Sequence, residues 1–102
     1  MMQFLSLEKE LKINDKSLLY FYSHDNIFPI SKTIFSLLNN IEINLNIDIL
    51  CIDVSHFGNL IKRFEIETTP TFIFYKNGVE TDRLTHIPTP DEIKQAAGRD
   101  IL

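Results

Sequence analysis

Apolar residues change their spacing several times along this chain, and each change marks an element. Met2 to Phe4 fits a short edge strand, after which Ser6 is placed to cap a short helix from Leu7 to Ile13, ended by Asn14, Asp15 and Lys16. LLYFY, Leu18 to Tyr22, is an uninterrupted apolar and aromatic run of strand length, the pattern of a strand buried on both faces in the middle of a sheet. Ile30, Ile34, Leu37, Leu38 and Ile41 then recur on one helical face, with Ser31, Lys32, Ser36 and Asn39 on the other, and predict an amphipathic helix of about two to three turns.

Asn46 to Val54 is strand-like again, and Leu60, Ile61 and Phe64 give a second, shorter helix face. TFIFY and VETDRLT flank Lys76-Asn77-Gly78, and Asn-Gly is a strong hairpin signal because both residues accept positive φ. Thr89-Pro90-Asp91-Glu92 reads as a helix start, with Thr89 as N-cap, Pro90 at the first helical position and Glu92 completing a capping box, and the helix is expected to run to about Ile101. The order is (β)αβαβαββα. Strands joined through helices run parallel with right-handed crossovers, and the hairpin adds antiparallel strands. This predicts an α/β fold, a mixed central β-sheet flanked by helices on both faces.

The 102 residues suit one domain, 1–102, large enough to bury a core, and 44% hydrophobic against 24% charged residues is a globular balance. A net charge of −4, with no basic cluster longer than Lys62-Arg63, offers no footprint for nucleic acid or anionic lipid, so neither is expected as a partner. The start lacks the pattern of a signal peptide, and even IDILCIDV, interrupted by Asp48 and Asp53, is too short to span a bilayer. The expectation is a soluble, cytoplasmic protein. One cysteine, Cys51, rules out an internal disulfide and fits a reducing compartment.

With Thr69-Pro70-Thr71 opening the third long strand, this order resembles the thioredoxin family over nearly the whole chain. The residues that carry the resemblance are LYFYS, where the family has the strand leading to its active site; IDVS, at the end of its central strand; and TTPTFIFYKNG, similar to its PTF-x-x-F-K-x-G segment. The interval from Asp53 to Pro70 matches a typical thioredoxin without a gap. The resemblance implies a cis Thr69–Pro70 bond, a turn that leaves the backbone of Thr69 free to pair with an extended peptide.

It also implies a W-C-x-x-C sequence after LYFYS, where a helix N-terminus lowers the first thiol's pKa. This chain has His24-Asp25-Asn26-Ile27-Phe28-Pro29-Ile30 instead. The two sulfur positions fall on Asn26 and Pro29, or on Ile27 and Ile30, according to how the loop is matched. The family's buried aspartate is replaced by Tyr20, and its glycine after the last strand by His86. Ordinary dithiol–disulfide exchange is therefore unavailable to this chain alone.

Cys51, within the apolar run Ile49 to Val54, reads as a buried, inert thiol packed as a small hydrophobe. Ser23 lacks a recognisable base and orienting partner, and His56 reads as a solvated turn residue. His24, Asp25 and His86 would make a plausible zinc set if the fold brought them together, but no local metal motif exists, and neither metal nor cofactor is expected. An apolar loop beside the turn suggests a peptide-binding groove of Asn26, Ile27, Phe28, Pro29, Thr69, Pro70, Thr71 and His86. The reading is a redox-inactive, thioredoxin-like protein, not an enzyme, acting as a non-catalytic protein- or peptide-binding module or assembly factor. Two alternatives stand beside it: a thiol–disulfide oxidoreductase or thiol transferase using Cys51 or a bound thiol, and a component of a larger complex such as a spliceosome-type assembly, suggested by the His-Asp pair after the strand.

Overall fold

The computed structural model describes residues 2–23 and 32–98. Five strands, β1 (Gln3–Phe4), β2 (Lys16–Tyr22), β3 (Asp48–Asp53), β4 (Thr71–Lys76) and β5 (Val79–Leu84), form one sheet in the order β1-β3-β2-β4-β5. Three helices accompany them: α1 (Lys32–Asn44), α2 (Gly58–Arg63) and α3 (Pro90–Gly98). β2 pairs parallel to β3 from Ser17–Asp48 to Tyr22–Asp53, and antiparallel to β4 from Lys16–Lys76 to Phe21–Thr71. The uninterrupted apolar run thus occupies a strand with neighbours on both sides. The mixed sheet inferred from the order of elements is the one observed.

Side-chain alternation sorts each strand into two cores. Leu18, Tyr20, Tyr22, Ile49, Cys51, Phe72 and Phe74 face one side, where Ile34, Leu38 and Ile41 of α1 and Ile93 and Ala96 of α3 cover them. Leu19, Phe21, Ile52 and Ile73 face the other, beneath Leu60 of α2 and the following Phe64 and Ile66. Tyr20 and Phe72 stack with ring centroids 4.6 Å apart, and Phe21 and Phe72 are fully buried. Truncating either phenylalanine to alanine would cost about 3–5 kcal/mol. That is a large share of a small domain's stability, so the sheet centre is a rigid base for whatever its ends carry.

The predicted helix from Leu7 to Ile13 is a correction: only one 3₁₀ turn forms, Glu8–Glu10, and Ser6 does not cap it. The Leu7 N–H donates instead to Glu10 Oε1 at 3.0 Å. Leu5, Leu11 and Ile13 all pack against the second core. Leu11 and Ile13 share a face when extended but lie about 200° apart on a helix, so burial overrides the helical reading. β3 begins at Asp48 and not Asn46, because Asn46 turns left-handed (φ 54°) and breaks the extension. α1 is longer than expected at 13 residues. In the hairpin, Asn77 and Gly78 take φ of 54° and 75°, the doubly positive pair its sequence asks for. Among the described residues no helix is long and apolar enough to cross a membrane.

Candidate functional site

The turn into β4 is built by the segment that leaves α2. That helix ends with Glu65 in the left-handed region (φ 53°), while the Glu65 N–H donates to Lys62 O at 3.2 Å and the Ile66 N–H to Ile61 O at 2.9 Å. These are the two bonds of a Schellman motif. Ile66 is buried and anchors the strand-ward side, whereas Glu67 and Thr68 are exposed. The Thr69–Pro70 peptide bond is cis. Thr69 is half-buried, Pro70 is buried, and Thr71 is buried and paired with Phe21.

Arg83 on the edge strand β5 fixes this segment from the side. Its guanidinium donates to the carbonyl oxygens of Phe64 at 2.9 Å and Glu65 at 3.2 Å, groups at the C-terminus of α2 where a cation is favoured. Two further bonds of 2.9 Å run to the Glu80 carboxylate. That bidentate grip raises the arginine further above its ordinary value. Beside the turn lies a depression of about 470 Å³ lined by Glu65, Glu67, Thr68, Thr71, Glu80, Arg83 and Thr85. Glu65, Glu67, Thr68 and Arg83 are site residues that periodicity did not reveal. The only sequence signal was a lone arginine in a polar edge strand, which has a function only once α2 is folded against it.

Of the residues expected to form a groove, Thr69 presents partly accessible surface. The Thr71 side chain points inward, its hydroxyl donating to Thr68 O at 2.6 Å, so Thr71 can offer a partner little beyond its backbone. Pro70 shapes the turn from within. His86 lies on the connection between β5 and α3, its Nε2 2.6 Å from Glu92 Oε2. The other Glu92 oxygen accepts the Thr89 N–H at 2.9 Å, and the Glu92 N–H donates to Thr89 Oγ1 at 3.2 Å. The expected capping box is therefore present, and His86 is tied to it. Asn26, Ile27, Phe28 and Pro29, together with His24 and Asp25, lie outside the described residues. Among the described residues no group of three or more His, Cys, Asp or Glu side chains is arranged to hold a metal ion.

The sulfur chemistry is decided in the core. Cys51 is 1% exposed, opposite Tyr20 in β2 and Phe4 in β1, and burial first, with the Glu42 carboxylate second, pushes its thiol up to about 12. Desolvation also raises the Tyr20 hydroxyl well above the usual phenol range, so the side chain opposite Cys51 is a neutral aromatic. At the end of β3, Asp53 accepts the Ser55 N–H at 2.9 Å and lies 3.5 Å from His56 Nε2. His56, with a side chain 65% exposed, is thus a turn residue leaning on a carboxylate.

The family model for thioredoxin matches residues 6–98. Among solved structures, the chain is similar to a mutant thioredoxin from Halobacterium salinarum, at 15% identity and TM-score 0.77, over 96% of this chain and 88% of that one. A Malassezia sympodialis thioredoxin gives 21% identity and TM-score 0.73 over 97% and 90%. Oxidised thioredoxin from Plasmodium falciparum gives 22% and 0.68 over 84% and 81%. No curated protein matches the sequence significantly.

Proposed function

Because this chain belongs to the thioredoxin family, we propose that it is a redox-inactive member acting as a non-catalytic protein-binding module or assembly factor. Its partner is an extended protein segment laid along the Thr68–Thr69 side of the turn and the Ile27–Pro29 loop, within the cytoplasm. The observation that carries this reading is the contrast between the sulfur and the turn. Cys51, the chain's one cysteine, is sealed in the sheet with a thiol that resists ionisation. The turn next to Pro70 is accessible and braced by Arg83. Recognition by main-chain pairing needs a fixed, accessible backbone and no nucleophile. Burial of Cys51 opposes the reading in which that thiol does chemistry, since a reactive cysteine needs both exposure and a lowered pKa.

Two measurements test the proposal together. In a thiol–disulfide exchange assay with a disulfide-bonded protein substrate and excess dithiol, the native protein and Cys51→Ser should both stay at the buffer rate. A photo-crosslinking residue at Thr69 should capture a protein partner, and Pro70→Ala and Phe28→Ala should each reduce the yield. An exchange rate that disappears with Cys51 overturns the non-catalytic reading. Unchanged capture by both variants overturns the groove.

A further inference from the structure

Carboxylates outnumber cations, 14 to 10, and they line the larger polar depressions of the surface. The depression beside the turn has Glu65, Glu67 and Glu80, and the one at the start of β3 has Glu10, Glu42 and Asp48. The face between α1 and α3 is different. A shallow depression of about 440 Å³ there has Lys32, Thr33, Ser36 and Asn40 of α1 and Lys94 of α3 around an apolar floor of Leu37 and Pro90, with no carboxylate in its wall. Lys32, Thr33, Ser36, Asn40 and Lys94 are all exposed. Neither ammonium forms an ion pair or hydrogen bond with a described residue. In a chain with a surplus of acid, two cations without a partner among the described residues share one hollow with two hydroxyls and an amide.

We propose that this α1–α3 face docks an acidic segment of a partner protein. Carboxylates of the segment pair with Lys32 and Lys94, and the Thr33 and Ser36 hydroxyls and the Asn40 amide donate the remaining hydrogen bonds. Charge complementarity selects the occupant: two lysines and no carboxylate line this hollow on a chain of net charge −4, and the other depression of that kind among the described residues, between Lys16 and Lys76, is far smaller at about 20 Å³, so a short run of carboxylates is attracted locally here. A nucleic acid is a poor fit, because its affinity comes from many phosphates neutralised along a basic stripe, and two lysines on an acidic protein do not make one. The face shares no lining residue with the Thr68–Thr69 depression, so it stands whether or not the turn binds a peptide.

The test is an amide chemical-shift titration of the whole protein at low salt with a capped peptide of alternating glutamate and alanine. Controls are the lysine–alanine counterpart and an oligouridylate. The glutamate peptide should shift the amides of Thr33, Ser36, Asn40 and Lys94, and raising NaCl to about 0.3 M should weaken it several-fold by shortening the screening length. The Lys32→Glu/Lys94→Glu double variant should lose about tenfold or more in affinity, with Lys32→Gln/Lys94→Gln intermediate. Both positions are exposed, so far-UV circular dichroism and the melting curve should be unchanged. The proposal is overturned by no shifts on this face, equal shifts with the lysine peptide or the oligouridylate, or a charge-reversed variant that binds within about twofold of the native protein.

Discussion

Labelling of Cys51 provides the sharpest check on the non-catalytic reading. Two barriers protect this thiol, and each has a size. A thiol pushed up to about 12 carries about a thousandfold less thiolate at neutral pH than one at 9.0. Because the thiolate is the reacting species, labelling slows by that factor even for reagent already in place. The second barrier is access: Cys51 is 1% exposed under α1 and between two strands, so reagent reaches it only when the sheet opens. If opening requires global unfolding at about 5 kcal/mol or more, accessible molecules are fewer than about one in a thousand. The two barriers act on different routes and do not multiply: labelling through global unfolding meets an ordinary, solvated thiol and runs about a thousandfold or more below the rate of the unfolded chain, while the raised pKa closes the route that bypasses unfolding. The assay is reaction with an aromatic disulfide reagent across a urea series, followed at the released thiolate. Labelling should track the unfolding transition seen by circular dichroism. A native rate within about tenfold of the unfolded rate would refute both the burial argument and the assignment of Cys51 to the core.

Other expectations rest on local geometry. Arg83→Ala removes two bonds to carbonyls at the end of α2 and a partly exposed pair with Glu80; counting about 0.5–1.5 kcal/mol per carbonyl bond and little for the pair gives about 2 kcal/mol, read by urea unfolding. Arg83→Lys should recover less than half of it, because an ammonium cannot reproduce the fork, and a loss under about 0.5 kcal/mol would mean the clamp is idle. Glu65→Gly should stabilise by about 0.5 kcal/mol, relief of about 1–2 kcal/mol at a left-handed non-glycine residue set against about 0.5–1 kcal/mol of glycine chain freedom; destabilisation would show that the Glu65 side chain itself holds the turn. The Glu92 carboxyl is held below its ordinary 4.5 by the Thr89 N–H first and His86 next. A depressed carboxyl stabilises fully above its unfolded value and loses that contribution as pH falls through the lower folded value, so Glu92→Gln should flatten the acid limb of Tm against pH below about 4.5. An acid limb identical in the variant would assign acid sensitivity elsewhere.

The order of residues alone specifies the elements whose signals are local. An unbroken apolar run of strand length marks Leu18 to Tyr22 as a central strand, Asn77-Gly78 dictates a hairpin through its two positive φ angles, and Thr89 with Glu92 writes its own capping box. Each of these depends on residues within a few positions of one another, so no knowledge of distant packing is needed. It also determined that no CxxC exists, since chemistry cannot exceed the residues present. Tertiary structure decided what depends on partners far along the chain. Leu11 and Ile13 abandon a helix because the second core lies within their reach only when they are extended. Arg83 braces the turn from 18 to 19 positions away, and Lys32 meets Lys94 only because α1 and α3 pack on the same face of the sheet. Thr71 and Thr69 look equivalent as letters, yet pairing with Phe21 turns one side chain into the core while its neighbour two positions back stays at the surface. The physical reason is the same throughout: local conformational preference amounts to tenths of a kcal/mol per residue, and burial against a distant surface outweighs it.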